Sequence, residues 1–264
     1  MTTAEFPLHV VFIGDVVGRP GEEAIQTGLE RLRRQLPVDV VIANGENAAG
    51  GKGLTEKSYN ALRDAGVDVI TLGNHAWDKR EIFDFIDHAD RIVRPANYPA
   101  GTPGRGWTTI EVAGRDIVVF QLLGRAFLNI GDCPFQVAER EISRIRQISP
   151  VVILDMHAEA TSEKVAMAYM LDGKVSAVLG THTHVQTADE QIFPGGTGYI
   201  SDVGMTGPRD SILGIRSDLA LKRMRDQLPV RFEVAEGPGV FSAVWLSIDA
   251  HSGRTLQIQR IQYR

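Results

Sequence analysis

One cysteine, Cys133, stands in 264 residues, so no intramolecular disulfide framework staples this chain. Long apolar runs are missing too, and none reaches the roughly 18 consecutive residues of a membrane-spanning helix. The amino-terminal MTTAEFPLHVVFIGD has no basic segment ahead of its apolar run and no cleavage-type pattern, so that run suits a first strand better than a secretion signal. A cytoplasmic location is therefore the expectation. Basic excess is absent as well: 28 Lys and Arg against 33 Asp and Glu give a net charge of −5, without the basic stripe of a polyanion-binding surface. The arginines of ERLRRQ and RMRDQ alternate with apolar residues at helical spacing and read as solvated helix faces, so stable nucleic-acid binding is not expected. Internal repeats, low-complexity tracts and flexible linkers are lacking.

What is present is an ordinary globular composition, 43% hydrophobic and 23% charged, long enough to bury a substantial core. Five short apolar runs stop abruptly at polar residues: HVVFIGD, VDVVIANGEN, VDVITLGNH, VVILDMH and VSAVLGTHTH. Runs of this kind read as buried parallel strands, and in open α/β sheets the ligand crevice lies beyond their carboxyl ends. Helices are expected between them: Pro20 to Leu36, TEKSYNALRDAG behind a Thr55 cap, DKREIFDFIDHA, QVAEREISRIRQIS and SEKVAMAYMLDG. WTTIEVAG and RDIVVFQLLG form an antiparallel pair, as do FSAVWLSIDA and TLQIQRIQYR around the turn HSG. The pattern predicts an α/β fold, a four-layer αββα sandwich of two mixed sheets flanked by helices, as one domain over residues 1–264. Within it, residues 203–238 look less regular; they are expected to expose Met205, Ile212, Leu213 and Ile215 and to serve as a lid or subunit contact in a homo-oligomer.

The strand ends carry Asp15, Glu46, Asn47, Asn74, His75, His157, His182 and His184. In an extended segment side chains repeat every second residue, so His182 and His184 point the same way and suit one metal or two neighbouring ones. Taken singly, each has a blander reading. Asp15 caps a helix, Asn74 closes a turn, and a histidine pair packs across strands. Glu46 is harder to explain so, since a carboxylate between a buried strand and a Gly-rich loop is costly unless paired or metal-bound. Together they are too many ligands for one small ion and enough for two. Lys52 and Arg209, both in Gly-rich loops, are candidate phosphate contacts or solvated charges; the GGKG stretch lacks P-loop spacing. His9, His88 and His251 read as surface residues.

The order GD, GEN, GNH, a strand-end His and GTHTH resembles the calcineurin-like metallophosphoesterase superfamily. The forms IGDVVGRPG, NGENAAGGKG, LGNHAWDK, MHAEATSEK and GTHTHVQTAD look like its YmdB-type branch, which acts on 2′,3′-cyclic and related nucleotides. Two departures from the wider superfamily fit that branch. Val17 stands where a first-site histidine is usual, and Glu46 where an Asp is usual. The resemblance implies a two-metal site with Glu46 bridging: Asp15, Asn47 and His184 on one ion, and Asn74, His157 and His182 on the other. An oxygen-rich set of this kind favours iron or manganese over zinc. It further implies phosphodiester hydrolysis by a metal-activated hydroxide, with His75 as general acid and a 3′-nucleotide as product. A phosphomonoesterase or phosphoprotein phosphatase uses the same chemistry, and a scaffold holding metals only for structure is the reading from another class.

Overall fold

The computed structural model describes residues 7–128 and 131–264. Strand β1 (Leu8–Ile13) and the two-residue β2 (Asp15–Val16) lead into helix α1 (Gly18–Arg33); β3 (Val40–Asn44), α2 (Glu56–Asp64), β4 (Val69–Thr71), the single turn α3 (Ile82–Phe85) and β5 (Ile92–Val93) follow. The hairpin β6 (Trp107–Val112) and β7 (Arg115–Leu123) opens a second unit, continued by α4 (Pro134–Ile148), β8 (Val152–His157), α5 (Thr161–Leu171) and β9 (Ala177–Thr181). Short strands β10 (Gln191–Ile192), β11 (Gly198–Ile200) and β12 (Met205–Pro208) precede α6 (Ser217–Asp226) and the long hairpin β13 (Gly239–Ile248) and β14 (Thr255–Tyr263).

One sheet runs β2-β12-β13-β1-β3-β4-β5, with β14 added to β13; the other runs β10-β11-β9-β8-β7-β6. Both are mixed. β1, β3, β4 and β5 pair in parallel while β13 lies antiparallel to β1; β7, β8, β9 and β11 pair in parallel while β6 and β10 are antiparallel.

Strand parity explains the layering. Odd residues Val11, Ile13, Val41 and Ala43 pack against Ile25, Leu29 and Leu32 of α1 and Leu62 of α2. Even residues Val10, Phe12, Val40 and Ile42 face Ile117, Val119, Ile153 and Leu179 of the other sheet. That sheet turns Val118, Phe120, Leu154 and Val178 to Val137 and Ile145 of α4 and Met167 and Leu171 of α5. Each strand is thus apolar on both faces, which is why its sequence reads as an unbroken run. The four layers are those the alternation predicts.

Five expectations need correction. α1 spans Gly18–Arg33 rather than Pro20–Leu36, because Leu32 already accepts the closing bonds from Gln35 and Leu36. Across DKREIFDFIDHA only Ile82–Phe85 is α-helical; successive i→i+3 bonds wind the rest into tight turns that drop Ile82 and Ile86 into the core. Met205 is buried, not exposed, because Met205–Pro208 is a sheet strand between β2 and β13. Ile212 and Ile215 are half-buried by bridging each other, which leaves Leu213 as the exposed member of that group. His9 is no free surface group either: it pairs with Asp39 at 3.0 Å and stacks on Trp245. His88 and His251 are exposed, and among the described residues no helix is long and apolar enough to cross a membrane.

Candidate metal centre

Because the parallel strands of both sheets end at one rim, residues far apart in sequence meet there. β8 and β9 pair in register so that His157 lies beside Thr181, and Met205 of β12 lies beside Asp15 of β2. Gly14, between β1 and β2, lets this happen: a Cβ there would collide with the Gly204 carbonyl. The Asp15 amide donates to that same carbonyl at 3.0 Å, which draws Asp15 into the interior.

The centre of the cluster is the fully buried His157. Its Nε2 lies 2.9 Å from Asn74 Oδ1, 3.0 Å from His182 Nδ1 and 3.1 Å from Glu46 Oε1. Two donors bound at right angles to one cation, each about 2.1 Å away, would stand about 3.0 Å apart. Such spacing between two imidazole nitrogens, an amide oxygen and a carboxylate oxygen suits ligands of one cation as well as it suits hydrogen bonds. Glu46, His157 and His182 form the group of acidic and histidine side chains, among the described residues, able to hold a metal ion. His182 is turned inward by a left-handed backbone (φ 105°), with its Nε2 facing Glu159 at 3.1 Å and its amide donating to Asp15 Oδ2. A non-glycine residue in that conformation marks a held, functional turn.

The charges tell the same story. Burial would pull the His157 imidazole down, but the carboxylates of Glu46, Asp15 and Asp155 outweigh it and push the ring up to about 9. Burial would raise Glu46, yet the facing imidazole brings it down to about 2. Burial and the neighbouring His157 charge press His182 down to about 3, leaving its ring neutral and able to ligate. Burial holds Asp15 above the ordinary carboxylate range. Several carboxylates with His157 as the one imidazole pushed toward its charged form call for positive charge at this point.

A second gap opens beside the first. Asp15 Oδ1 and Asn47 Oδ1 are buried without a hydrogen-bond partner, and His184 Nε2 stands 3.8 Å from Asp15 Oδ1. That distance is too long for a hydrogen bond and short enough for two ligands on a shared cation. Asn47 spends its amide NH2 on the Gly51 carbonyl at 3.0 Å, which leaves the oxygen free. The His184 Nδ1–H donates to the Leu213 carbonyl at 3.0 Å, which leaves Nε2 bare. Unpartnered buried oxygens are costly unless something absent from the polypeptide satisfies them, and oxygen donors with imidazole suit a divalent cation. The residues fit two ions.

His75 sits at the edge of this cluster, partly exposed. Its amide donates to Glu46 Oε2 at 2.8 Å, and its Nδ1 meets Asp78 Oδ2 at 2.9 Å. Tyr98, whose hydroxyl donates to the Gly73 carbonyl, is raised to about 12 by burial and by the Glu46 charge. Of the two candidate phosphate contacts, Lys52 is exposed, and the Arg209 guanidinium is engaged on both oxygens of Asp210, at 3.1 and 2.9 Å. Arg209 lines, with His184, Arg260 and Arg264, a cavity of about 730 Å³. Sequence reasoning missed Asp78, Glu159, Asp155 and the Leu213 carbonyl. Asp78 had a visible signal, an acid three residues after His75.

Comparison with known proteins identifies relatives along nearly the whole chain. The chain is 50% identical over 254 residues, 96% of each protein, to a 2′,3′-cyclic-nucleotide 2′-phosphodiesterase of Bacillus subtilis. It superposes on a hypothetical protein from Thermus thermophilus with a TM-score of 0.90 at 44% identity, covering 97% of this chain and 99% of that one. A structure described as a novel phosphatase from Mycoplasma pneumoniae gives a TM-score of 0.91 at 33% identity, covering 97% and 93%. Residues 11–261 match the family of YmdB-like proteins, and the chain belongs to that family.

Proposed function

We propose that this chain is a dimetal phosphodiesterase that hydrolyses 2′,3′-cyclic nucleotides to 3′-nucleotides. The observation that carries the reading is the ring of donor atoms about 3 Å around His157 Nε2, beside the two orphaned oxygens of Asp15 and Asn47. The activity named for the Bacillus subtilis relative supports the substrate class. Asn74, His157 and His182 would hold one cation, Asp15, Asn47 and His184 the other, with Glu46 shared; the oxygen-rich set favours iron or manganese. Two cations so placed would neutralise phosphoryl charge and acidify a water for in-line attack.

The protein's own groups supply the rest. Asp78 Oδ2 accepts from the His75 Nδ1–H, so in the doubly protonated ring the Nε2–H is the proton that would pass to the departing 2′ oxygen, leaving His75 neutral with Nδ1 still protonated. Glu46 Oε2 anchors the His75 amide, which ties the acid to the ligand set. The name given to the Mycoplasma pneumoniae structure favours a second reading, a phosphomonoesterase at the same centre.

Purified protein assayed with 2′,3′-cyclic AMP, 3′,5′-cyclic AMP and 3′-AMP distinguishes them. The expected product of the first is 3′-AMP, with turnover abolished by a chelator and restored by Mn²⁺ or Fe²⁺. Preferred release of inorganic phosphate from 3′-AMP would establish the monoesterase instead, and no turnover with any metal would overturn both.

We read residues 209–238 as a subunit-contact element of a homo-oligomer rather than a lid. Leu221, Met224 and Leu228 fall at i, i+3, i+7 on α6 and just beyond it, all more than half exposed. Met224→Glu is expected to lower the mass measured by light scattering; an unchanged mass would remove this contact from consideration.

A further inference from the structure

We infer that Asp155 and Thr181 are positioning residues that hold His157 in the tautomer whose Nε2 can ligate a metal. The inference rests on the dimetal reading above and concerns side chains that touch no substrate. The His157 Nδ1 lies 2.8 Å from Thr181 Oγ1, and that oxygen lies 2.7 Å from Asp155 Oδ1. A hydroxyl has one proton to give. If Thr181 gives it to Asp155, Thr181 Oγ1 accepts from His157 Nδ1–H and Nε2 is bare. If Thr181 gives it to His157 instead, Asp155 Oδ1 is a buried oxygen with no donor, because the other bonds to this carboxylate all fall on Oδ2.

Those other bonds fix the carboxylate itself. Asp155 Oδ2 accepts from Thr71 Oγ1 at 2.5 Å, Asn44 Nδ2 at 3.1 Å and Gln121 Nε2 at 3.2 Å. Asn44 and Thr71 belong to β3 and β4 of one sheet, Asp155 and Gln121 to β8 and β7 of the other, so the lattice bolts the two sheets together beneath the metal candidates. Asn44 is oriented by the Glu46 amide, which donates to its Oδ1 at 3.2 Å, and by the Leu72 carbonyl, which accepts from Nδ2 at 2.8 Å. Its NH2 therefore points toward His157 Nδ1, at 3.4 Å. That separation exceeds a good hydrogen bond, as expected where two N–H groups meet. All five side chains are buried. Metal-ligating histidines are commonly oriented by a carboxylate bonded directly to the other ring nitrogen. Here a threonine hydroxyl is interposed.

The test is a competitive Zn²⁺ titration against a chromophoric chelator, on wild type, Thr181→Val, Thr181→Ser and Asp155→Asn. Thr181→Val and Asp155→Asn are expected to bind one of two equivalents about 10–100-fold more weakly, while Thr181→Ser, which keeps the hydroxyl, stays close to wild type. Long-range ¹H–¹⁵N correlation spectra of Zn²⁺-loaded wild type are expected to show His157 protonated at Nδ1, a readout that needs no variant to fold. Thr181→Val matching wild type at both equivalents, or His157 unprotonated at Nδ1, overturns the inference while leaving the metal reading intact. Wild type that takes up no Zn²⁺ defeats the metal reading and this inference with it.

Discussion

A methyl group at position 73 would strike the centre of the cluster. The glycine's own φ lies outside the left-handed region, so alanine fits the backbone there and any effect is steric. A Cβ built on Gly73 falls 2.6 Å from His157 Nε2 and still closer to Glu46 Oε2. Ordinary contacts of this kind start at about 3.5 Å, so ring, carboxylate or backbone must yield by about 0.9 Å. Overpacking of that size costs about 1–3 kcal/mol. With an unfolding entropy of about 2.1 cal/mol/K per residue, Tm should fall by about 2–5 °C. Function should suffer far more. Metal–nitrogen bonds of about 2.0–2.1 Å do not stretch by nearly an ångström, and misplacement on that scale costs on the order of 100-fold in rate. Gly73→Ala is therefore expected to fold, to lose one equivalent of Mn²⁺ by elemental analysis, and to turn over 2′,3′-cyclic AMP about 100-fold more slowly. Gly114→Ala, in the β6–β7 turn with open space around it, isolates backbone strain; its φ of 76° should cost about 1 kcal/mol and leave metal content alone. Wild-type metal stoichiometry in Gly73→Ala would falsify the placement of the ligand cluster.

His75→Ala should lower kcat by about 10²–10⁴-fold with both metals retained, and a p-nitrophenyl leaving group, which needs no proton, should recover much of the loss; equal losses on both substrates would deny His75 the acid role. Lys164→Met leaves Asp202 buried without its 2.9 Å partner and should destabilise the protein by about 3–5 kcal/mol in urea titrations. Because Asp202 Oδ2 also accepts the Thr183 amide at 2.9 Å, the histidine turn should loosen and Mn²⁺ affinity should drop in the same variant; a stable Lys164→Met refutes the pairing. Burial raises Asp189, but the Ser201 and Thr187 hydroxyls and the Ser201 amide outweigh it and hold this carboxyl below the ordinary range. Its folded value lies below the unfolded one, so its stabilisation is complete above about pH 4 and disappears as pH falls through the folded value. Asp189→Asn should therefore flatten the acid limb of urea midpoint against pH, and an unchanged limb would count against these bonds.

The strands and the gathering of polar residues at their ends were legible because both follow from local pattern, although His182 and His184 sit on left-handed backbone rather than in the extended segment expected. A buried parallel strand must be apolar on both faces, so the first polar residue after it stands at the rim, and parallel strands share one rim. That logic reaches Asp15, Glu46, Asn74, His157 and His182 without any knowledge of pairing. It fails where a partner is defined only by packing. Residues 205–208 look irregular as a string, yet they join a sheet because β2 offers a free edge at Asp15. The histidine partners divide along the same line. Asp78 lies three residues from His75 and was within reach of a local reading, whereas the Leu213 carbonyl lies 29 residues from His184 and carries no side-chain signature at all. Asp155 is the instructive middle case. A lone carboxylate inside VVILDMH was visible as an anomaly, since a buried charge must be satisfied. Its four partners come from β3, β4, β7 and β9, and only the closed fold shows that they exist. Arg209 shows the reverse situation: a cation in a Gly-rich loop suggests phosphate, and the fold adds that Asp210, its immediate neighbour, engages both arms of the guanidinium. That pair is solvent-exposed and contributes little, so a phosphate would displace Asp210 at little cost, whereas the buried Lys164–Asp202 pair is closed to any such exchange.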